Sequence, residues 1–227
     1  DYEQAIFLSK LLIKKNVKNS VAYTILGLSL SSIGKKDDAE KIFLDGIKNN
    51  PHSSDLCNNV SNLYLEKKQF LNAKIFAKRA VFLNSYCSSS YFTLGVALNA
   101  CNEVDEAISS MKKSFQLNHD NAPALLQLGN LYKDKKLFSK ALDIYRKYQK
   151  LFPRHIEGYY NEGPLQLRNQ RFKIGWDKYE IGLKNNSRFL VEGYYNEDKI
   201  LWDGKPFEGT LLVYGEQGIG DQIIFGT

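Results

Sequence analysis

Residues 122–155 read APALLQLGNLYKDKKLFSKALDIYRKYQKLFPRH, and this stretch contains two helix patterns joined by the polar turn Lys135-Lys136. In the related stretch 54–87, apolar residues recur at helical spacing from Leu56 to Tyr64 and again from Ala73 to Val81. Gly or Ala where two helices cross lets their backbones approach, while the flanking large residues fill the groove between them. The stretch therefore predicts an antiparallel helix pair.

The same pattern recurs along the chain at one constant interval, without an insertion. One column of small residues consists of Ala5, Ala39, Ala73, Ala107 and Ala141, with Gly175 on the next step. A second column at the same interval consists of Gly27, Ser61, Gly95, Gly129 and Gly163. Helix pairs repeated at one period stack into a solenoid whose core continues from unit to unit. The fold class that this predicts is an all-α, right-handed α-solenoid.

This pattern resembles the tetratricopeptide repeat (TPR) family, because Gln127 to Tyr132, Ala141, Tyr145 and Pro153 match its consensus. The resemblance implies helix pairs that expose a concave face for a protein or peptide partner. The predicted organisation is a second helix of a partial repeat over 1–19, followed by five units over 20–53, 54–87, 88–121, 122–155 and 156–189. The last unit is degenerate, because Glu162 occupies an apolar column and Pro164 should kink or shorten its first helix.

Composition limits the classes of function. Apolar residues make up 43% of the chain, charged residues 25%, and the formal net charge is +6. No apolar run approaches the ~20 residues that cross a membrane, so no membrane partner is expected. The three cysteines lack a CxxC pair, which favours a cytoplasmic protein. The three histidines lie far apart, and we expect neither a metal nor a cofactor.

Side chains beside the glycine column are candidates for the concave face. Several are carboxamides, which offer a donor and an acceptor to the backbone of an extended peptide. Their arrangement resembles the asparagine ladder of TPR-bearing protein glycosyltransferases, interrupted at Leu28 and Val96. The alternative is that these amides are solvated or cap turns. The predicted groove residues are Asn58, Asn59, Asn62, Phe92, Asn99, Gln127, Asn130, Lys133, Tyr160 and Asn161.

Basic residues recur at the turns within units, at Lys35-Lys36, Lys67-Lys68, Lys135-Lys136 and between Arg168 and Lys173. Stacking would align them along one rim. The row is interrupted at Cys101, and no aromatic residues are interleaved as in a platform for single-stranded nucleic acid. Solvated turn lysines are the favoured interpretation, and nucleic acid is not an expected partner.

The repeat period ends near Asn185, and residues 190–227 differ in character. We interpret their first part as a linker, followed by a short β-like run from Thr210 to Tyr214. The glycine loop Gly215, Gly218, Gly220 and Asp221 comes next. A strand, a glycine loop and a helix N-terminus together suit an anion.

The C-terminal segment resembles bacterial TPR proteins fused to a two-lobed, heptosyltransferase-like glycosyltransferase domain. That resemblance implies that Asp221 is a candidate base or acceptor-contacting carboxylate in a longer parent protein. Both ends of the sequence cut repeating units, which predicts a fragment. We therefore expect this chain to bind a protein or peptide without catalysing a reaction, and the alternative is the N-terminal part of a glycosyltransferase. Apolar solenoid ends also allow end-to-end homo-oligomers.

Overall fold

The computed structural model describes residues 1–184, which form an all-α solenoid. The helices are α1 (Tyr2–Lys15), α2 (Ser20–Ser32), α3 (Lys36–Asn49), α4 (Ser54–Glu66), α5 (Phe70–Leu83), α6 (Ser88–Ala100), α7 (Val104–Leu117), α8 (Ala122–Asp134), α9 (Phe138–Leu151), α10 (Glu157–Arg168) and α11 (Phe172–Lys184).

Polar caps fix where the first helices of the units begin. In three units the residue before the helix accepts a hydrogen bond in its side chain from the backbone N–H three residues on. Each cap satisfies a backbone donor that has no partner inside the helix. The capping residues are Asn19 before α2, Ser53 before α4 and Asn121 before α8.

The turn within each unit has one residue in the left-handed region of backbone space. At Lys68 the φ angle is 58°, and the next residue, Gln69, donates its N–H to the carbonyl oxygen of Tyr64 at 2.8 Å. This bond closes the end of α4 in the manner of a Schellman motif. The same turn recurs once in every unit, at Gly34, Lys68, Asn102, Lys136 and Gln170.

Small residues lie where the two helices of a unit cross. A methyl group added at Gly129 would lie 2.5 Å from Cε1 of Tyr145, so only glycine fits against that ring. Gly95 meets Met111 and Gly27 meets Phe43 in the same way, at the equivalent positions of their units. These contacts lie in a core that continues through the described units.

Successive first helices contact one another directly, α2 with α4, α4 with α6, and α8 with α10. This places them on the inner, more tightly curved side of the solenoid. The second helices α3, α5, α7 and α9 form the outer layer.

The last unit keeps its first helix despite Pro164. α10 runs through Pro164 to Arg168 and is 12 residues long, against 13 in the other first helices. It is shorter at its N-terminal end, away from the proline, and Pro164 does not end it. The preceding residue is Gly163, whose missing Cβ removes part of the clash between a proline ring and its neighbour.

Candidate functional site

The ten predicted groove residues fall into four registers on the inner helices. Members of one register are separated by whole repeat periods, so they occupy equivalent positions on successive first helices. The registers contain Asn58, Phe92 and Tyr160; Asn62 and Asn130; Asn99 and Lys133; and Asn59, Gln127 and Asn161.

The register of Asn58 is half-buried in every unit. Phe92 packs against the hydrophobic core, as does Leu126 at the equivalent position of α8. Oδ1 of Asn58 is buried and accepts no hydrogen bond from residues 1–184. This register is therefore mostly apolar, with one buried acceptor on α4.

The register of Asn62 and Asn130 presents amide donors. Oδ1 of Asn62 accepts a hydrogen bond from Oγ1 of Thr93 at 3.1 Å, and Oδ1 of Asn130 accepts one from the Tyr145 hydroxyl at 2.8 Å. Burial raises the pKa of Tyr145, so its hydroxyl stays protonated and donates. These two bonds orient both amides and engage their oxygens, while their N–H₂ groups make no hydrogen bond within the described chain.

The register of Asn59, Gln127 and Asn161 faces a neighbouring helix. Thr93 belongs to this register, and its bond to Asn62 crosses from α6 to α4. This bond places Thr93 between the two helices, and the three predicted residues at the equivalent positions are half-buried.

Asn99 is exposed and Lys133 half-buried towards the C-terminal ends of α6 and α8. Their register also contains Leu65 and Leu167, which the sequence reasoning missed together with Leu126. The signal for all three was present, since each lies a whole number of periods from a predicted groove residue.

Several turn lysines are paired with carboxylates of a neighbouring unit. Lys67 Nζ lies 2.7 Å from Asp37 and 2.5 Å from Glu40, and Lys135 Nζ lies 2.5 Å from Asp105. The hydrogen bond from Lys67, outweighing the burial of the carboxyl, lowers the pKa of Glu40. These pairs connect consecutive units and partly neutralise the basic row.

Glu162 is the centre of a buried polar cluster between α9, α10 and α11. Its carboxylate is 2% exposed and accepts hydrogen bonds from Gln149 at 2.7 Å and Gln166 at 2.6 Å. Lys178 Nζ lies 3.5 Å away and Arg146 Nε 3.4 Å away. Burial alone would raise the pKa of Glu162, but the two amide hydrogen bonds and the two cations hold it below its usual range.

Within residues 1–184 there is no group of three or more His, Cys, Asp or Glu side chains placed to hold a metal ion. None of the helices described above combines the length and the apolar character needed to span a bilayer. Gly215, Gly218, Gly220 and Asp221 lie outside the described residues, as does the β-like run before them.

Two units match a known family. Residues 88–121 and 122–155, which are α6–α7 and α8–α9, match the tetratricopeptide repeat family. These two units are tetratricopeptide repeats, and the helices over 1–184 have the fold of a TPR protein.

The similar proteins include BBSome complex member BBS4 of Bos taurus, 25% identical over 153 residues, which are 67% of this chain and 29% of that protein. The chain spans less than a third of the length of the curated relatives it matches. The solved structure of MamA has a TM-score of 0.65 at 21% identity and covers 70% of this chain and 93% of that chain. The structure of YrrB, described as a TPR protein with an unusual peptide-binding site, has a TM-score of 0.63 at 16% identity and covers 78% and 91%. At these identities the two structures show a shared fold.

Proposed function

We propose that this chain is a protein-interaction module whose inner face binds an extended, uncharged segment of another polypeptide. The observation that carries the proposal is the composition of the two central registers, which hold amide, hydroxyl and apolar side chains and no charge. Their members are Thr24, Asn58, Phe92, Leu126 and Tyr160, and Leu28, Asn62, Val96, Asn130 and Pro164.

The two kinds of side chain suit the two parts of a bound peptide. The amide groups of Asn62 and Asn130 are held by intramolecular bonds with their N–H₂ groups unbonded, which suits backbone carbonyls of any sequence. Phe92, Leu126 and Val96 offer apolar contact for alternate side chains of an extended strand. The apolar side chains of the peptide would then determine specificity, and its backbone would contribute to affinity.

The length of the groove sets the length of the ligand. Packed helices lie about 8–10 Å apart, so five first helices span roughly 32–40 Å. An extended chain advances about 3.3 Å per residue, so about 10–12 residues would cross the inner face. YrrB, a structural neighbour, is described as having a peptide-binding site, which supports the same use of the fold here.

The test starts from a phage-displayed library of random peptides long enough to cross the inner face. A selected peptide is then titrated calorimetrically against the wild type and an Asn62→Ala, Asn130→Asp double variant. Aspartate keeps the acceptor for the Tyr145 hydroxyl and removes the amide donor. The exposed Asn72 on outer helix α5 supplies the matched control, Asn72→Ala.

We expect selected peptides to be apolar-containing and uncharged, and the double variant to weaken their binding at least tenfold. The control should bind as the wild type does. Equal affinity for the double variant would refute the assignment of the amides, and enrichment of strongly charged peptides would refute the uncharged ligand.

Self-association through the N-terminal end of the solenoid is a separate part of the proposal. α1 exposes Phe7, Leu8 and Leu11, and α2 exposes Val21 nearby in the sequence. Exposed apolar surface of this kind favours contact with a second copy. A mass that rises with protein concentration, and that Phe7→Glu returns to the monomer, is the expected result; a monomer at all concentrations would contradict it.

The free cysteines Cys57, Cys87 and Cys101 support a reducing, cytoplasmic setting as part of the same proposal. Localisation of a fluorescently tagged full-length protein tests this setting directly.

A further inference from the structure

The outer surface of α5 has an apolar stripe unrelated to the inner face. We define the α5 stripe as Leu71, Ile75, Phe82 and Tyr86, whose residues are 68%, 60%, 86% and 84% exposed. Three of them lie on α5 and Tyr86 follows shortly after its end. The last two are the most exposed of the four, and neither belongs to the hydrophobic core of residues 1–184.

The two neighbouring units are polar at the same positions. One period before the α5 stripe stand Asp37, Lys41, Lys48 and His52, and one period after it stand Asp105, Ser109, Gln116 and Asp120. Since every unit uses the same fold, folding does not require apolar side chains at these positions. Of these three consecutive units, only the one that contains α5 has the stripe.

An ion pair present elsewhere is missing at this point. Lys67 reaches back to Asp37, and Lys135 reaches back to Asp105, across the same interval in the sequence. The equivalent pair would join position 101 to position 71, which are Cys101 and Leu71. At these two positions an apolar residue therefore stands in place of the ion pair, and the two units are joined instead by Lys74 and Glu103.

The spacing along α5 is that of a helix–helix seam. Leu71, Ile75, Lys78 and Phe82 are separated by four, three and four residues, the spacing of a and d positions in a coiled coil. At about 100° per residue they lie within an arc of about 60°, narrower than the face a helix presents to a globular core. A seam this narrow fits one straight helix.

The charge on α5 selects the partner. The helix contains Lys74, Lys78 and Arg79 and no acidic residue. Lys78 is exposed and lies within the α5 stripe, whereas Lys74 is paired with Glu103 at 2.5 Å. We propose that the α5 stripe is a second docking surface, which binds an amphipathic helix of another protein with apolar seam residues and an acidic residue opposite Lys78.

The position of Lys78 also separates this partner from a second copy of the chain. Lys78 lies midway between the two ends of the α5 stripe. An antiparallel pairing of two identical stripes would place the two Lys78 ammonium groups against each other on the two-fold axis. Like charges in a desolvated contact are destabilising, so the α5 stripe disfavours pairing with itself.

The probe for this surface is a monomeric, alanine-rich helical peptide of about 18 residues, ~27 Å long. It has a single leucine seam flanked by glutamates, and a second peptide has lysines instead. Binding to the full chain is measured by fluorescence anisotropy. Phe82→Glu and Tyr86→Ser change the α5 stripe, and Gln116→Glu changes the position on α7 that is equivalent to Phe82.

We expect the acidic peptide to bind at least tenfold more tightly than the basic one. Phe82→Glu and Tyr86→Ser should each weaken that binding at least fivefold, Gln116→Glu should leave it unchanged, and Lys78→Glu should reverse the preference. Because these side chains are exposed, circular dichroism should show all variants folded.

Equal binding of both peptides, or binding that Phe82→Glu and Tyr86→Ser leave unchanged, would overturn the proposal. So would sedimentation of the wild type with phosphatidylserine vesicles, if Phe82→Glu abolishes that sedimentation. A concentration-dependent dimer abolished by Phe82→Glu would make the surface a homodimer contact and also overturn it. Loss of binding at the inner face leaves this surface intact, so the two binding proposals fail separately.

Discussion

Ser61 donates a hydrogen bond from Oγ to the carbonyl oxygen of Ala73 at 2.8 Å, across the crossing of α4 and α5. Three other units have glycine in place of Ser61, beneath a large side chain of the second helix. In this unit the position equivalent to Tyr145 is Ala77. In this unit the larger residue at position 61 is therefore accommodated by the smaller residue at position 77. The Ser61 hydroxyl is satisfied by a backbone carbonyl oxygen.

Gly129→Ala should destabilise the chain by about 1–3 kcal/mol, because the new methyl group clashes with the ring of Tyr145. That ring is fully buried and has no space to move aside. Ser61→Ala is the comparison at the equivalent position. It removes one hydrogen bond and should cost about 0.5–1.5 kcal/mol. Urea unfolding measures both, and a Gly129→Ala variant as stable as the wild type would contradict the close crossing.

The left-handed turns predict a gain of stability. Lys68 and Lys136 have φ angles of 58° and 59° and are exposed, so a side chain there costs about 1 kcal/mol relative to glycine. Lys68→Gly and Lys136→Gly should each stabilise the chain by about that amount. Asn102→Gly should give less, since asparagine tolerates this region. A lower urea concentration at the midpoint of unfolding in both lysine variants would contradict the predicted gain of stability.

Glu162 predicts a pH dependence in the last unit. Its pKa is lower in the folded chain than in the unfolded one, so its stabilising contribution is present above about pH 4.3 and decreases as the pH falls through the folded pKa. The stability difference between the wild type and Glu162→Gln should therefore shrink as the pH falls below about 4.3. Fluorescence of Trp176 on α11, in a Trp202→Phe background, reports this unit. A difference that grows on acidification would contradict the assigned shift.

The same cluster makes a prediction about apolar replacement. Glu162→Leu restores the apolar column but leaves the buried amides of Gln149 and Gln166 without their carboxylate, and should destabilise the unit by about 2–4 kcal/mol. The double variant Glu162→Leu and Gln166→Leu should recover part of that loss, because Gln149 keeps its hydrogen bonds with the Gly158 carbonyl oxygen and with Lys178. Thermal unfolding compares the two, and a double variant less stable than the single one would contradict this expectation.

The sequence predicts the fold because the period is maintained without insertion and each column has one physical task. Gly129 is forced by Tyr145, Asn121 by a free backbone donor, and the turn at Lys136 by the need to reverse the chain. The intact helix at Pro164 depends on Gly163 and on packing from α9 and α11, which a local proline rule does not include. The burial of Glu162 depends on Gln149, which lies on another helix.

The site is less predictable from the sequence than the fold. The period identifies the inner registers, but it does not show that Asn62 and Asn130 are held by Thr93 and Tyr145. Such bonds depend on the rotation of neighbouring helices. The α5 stripe, in contrast, can be found in the sequence by comparing Phe82 with Lys48 and Gln116 at the equivalent positions. Recognising it as a surface also requires knowing which face of α5 lies outermost.

The most direct test of the binding groove is the position of a bound peptide. Benzoylphenylalanine placed at Phe92 on α6 lies on the inner face, and at Gln116 on α7 it lies on the outer layer. After irradiation with a peptide selected from the library, the account predicts a cross-link from position 92 that unlabelled peptide competes away, and none from position 116. Cross-linking from position 116 with none from position 92 would contradict it.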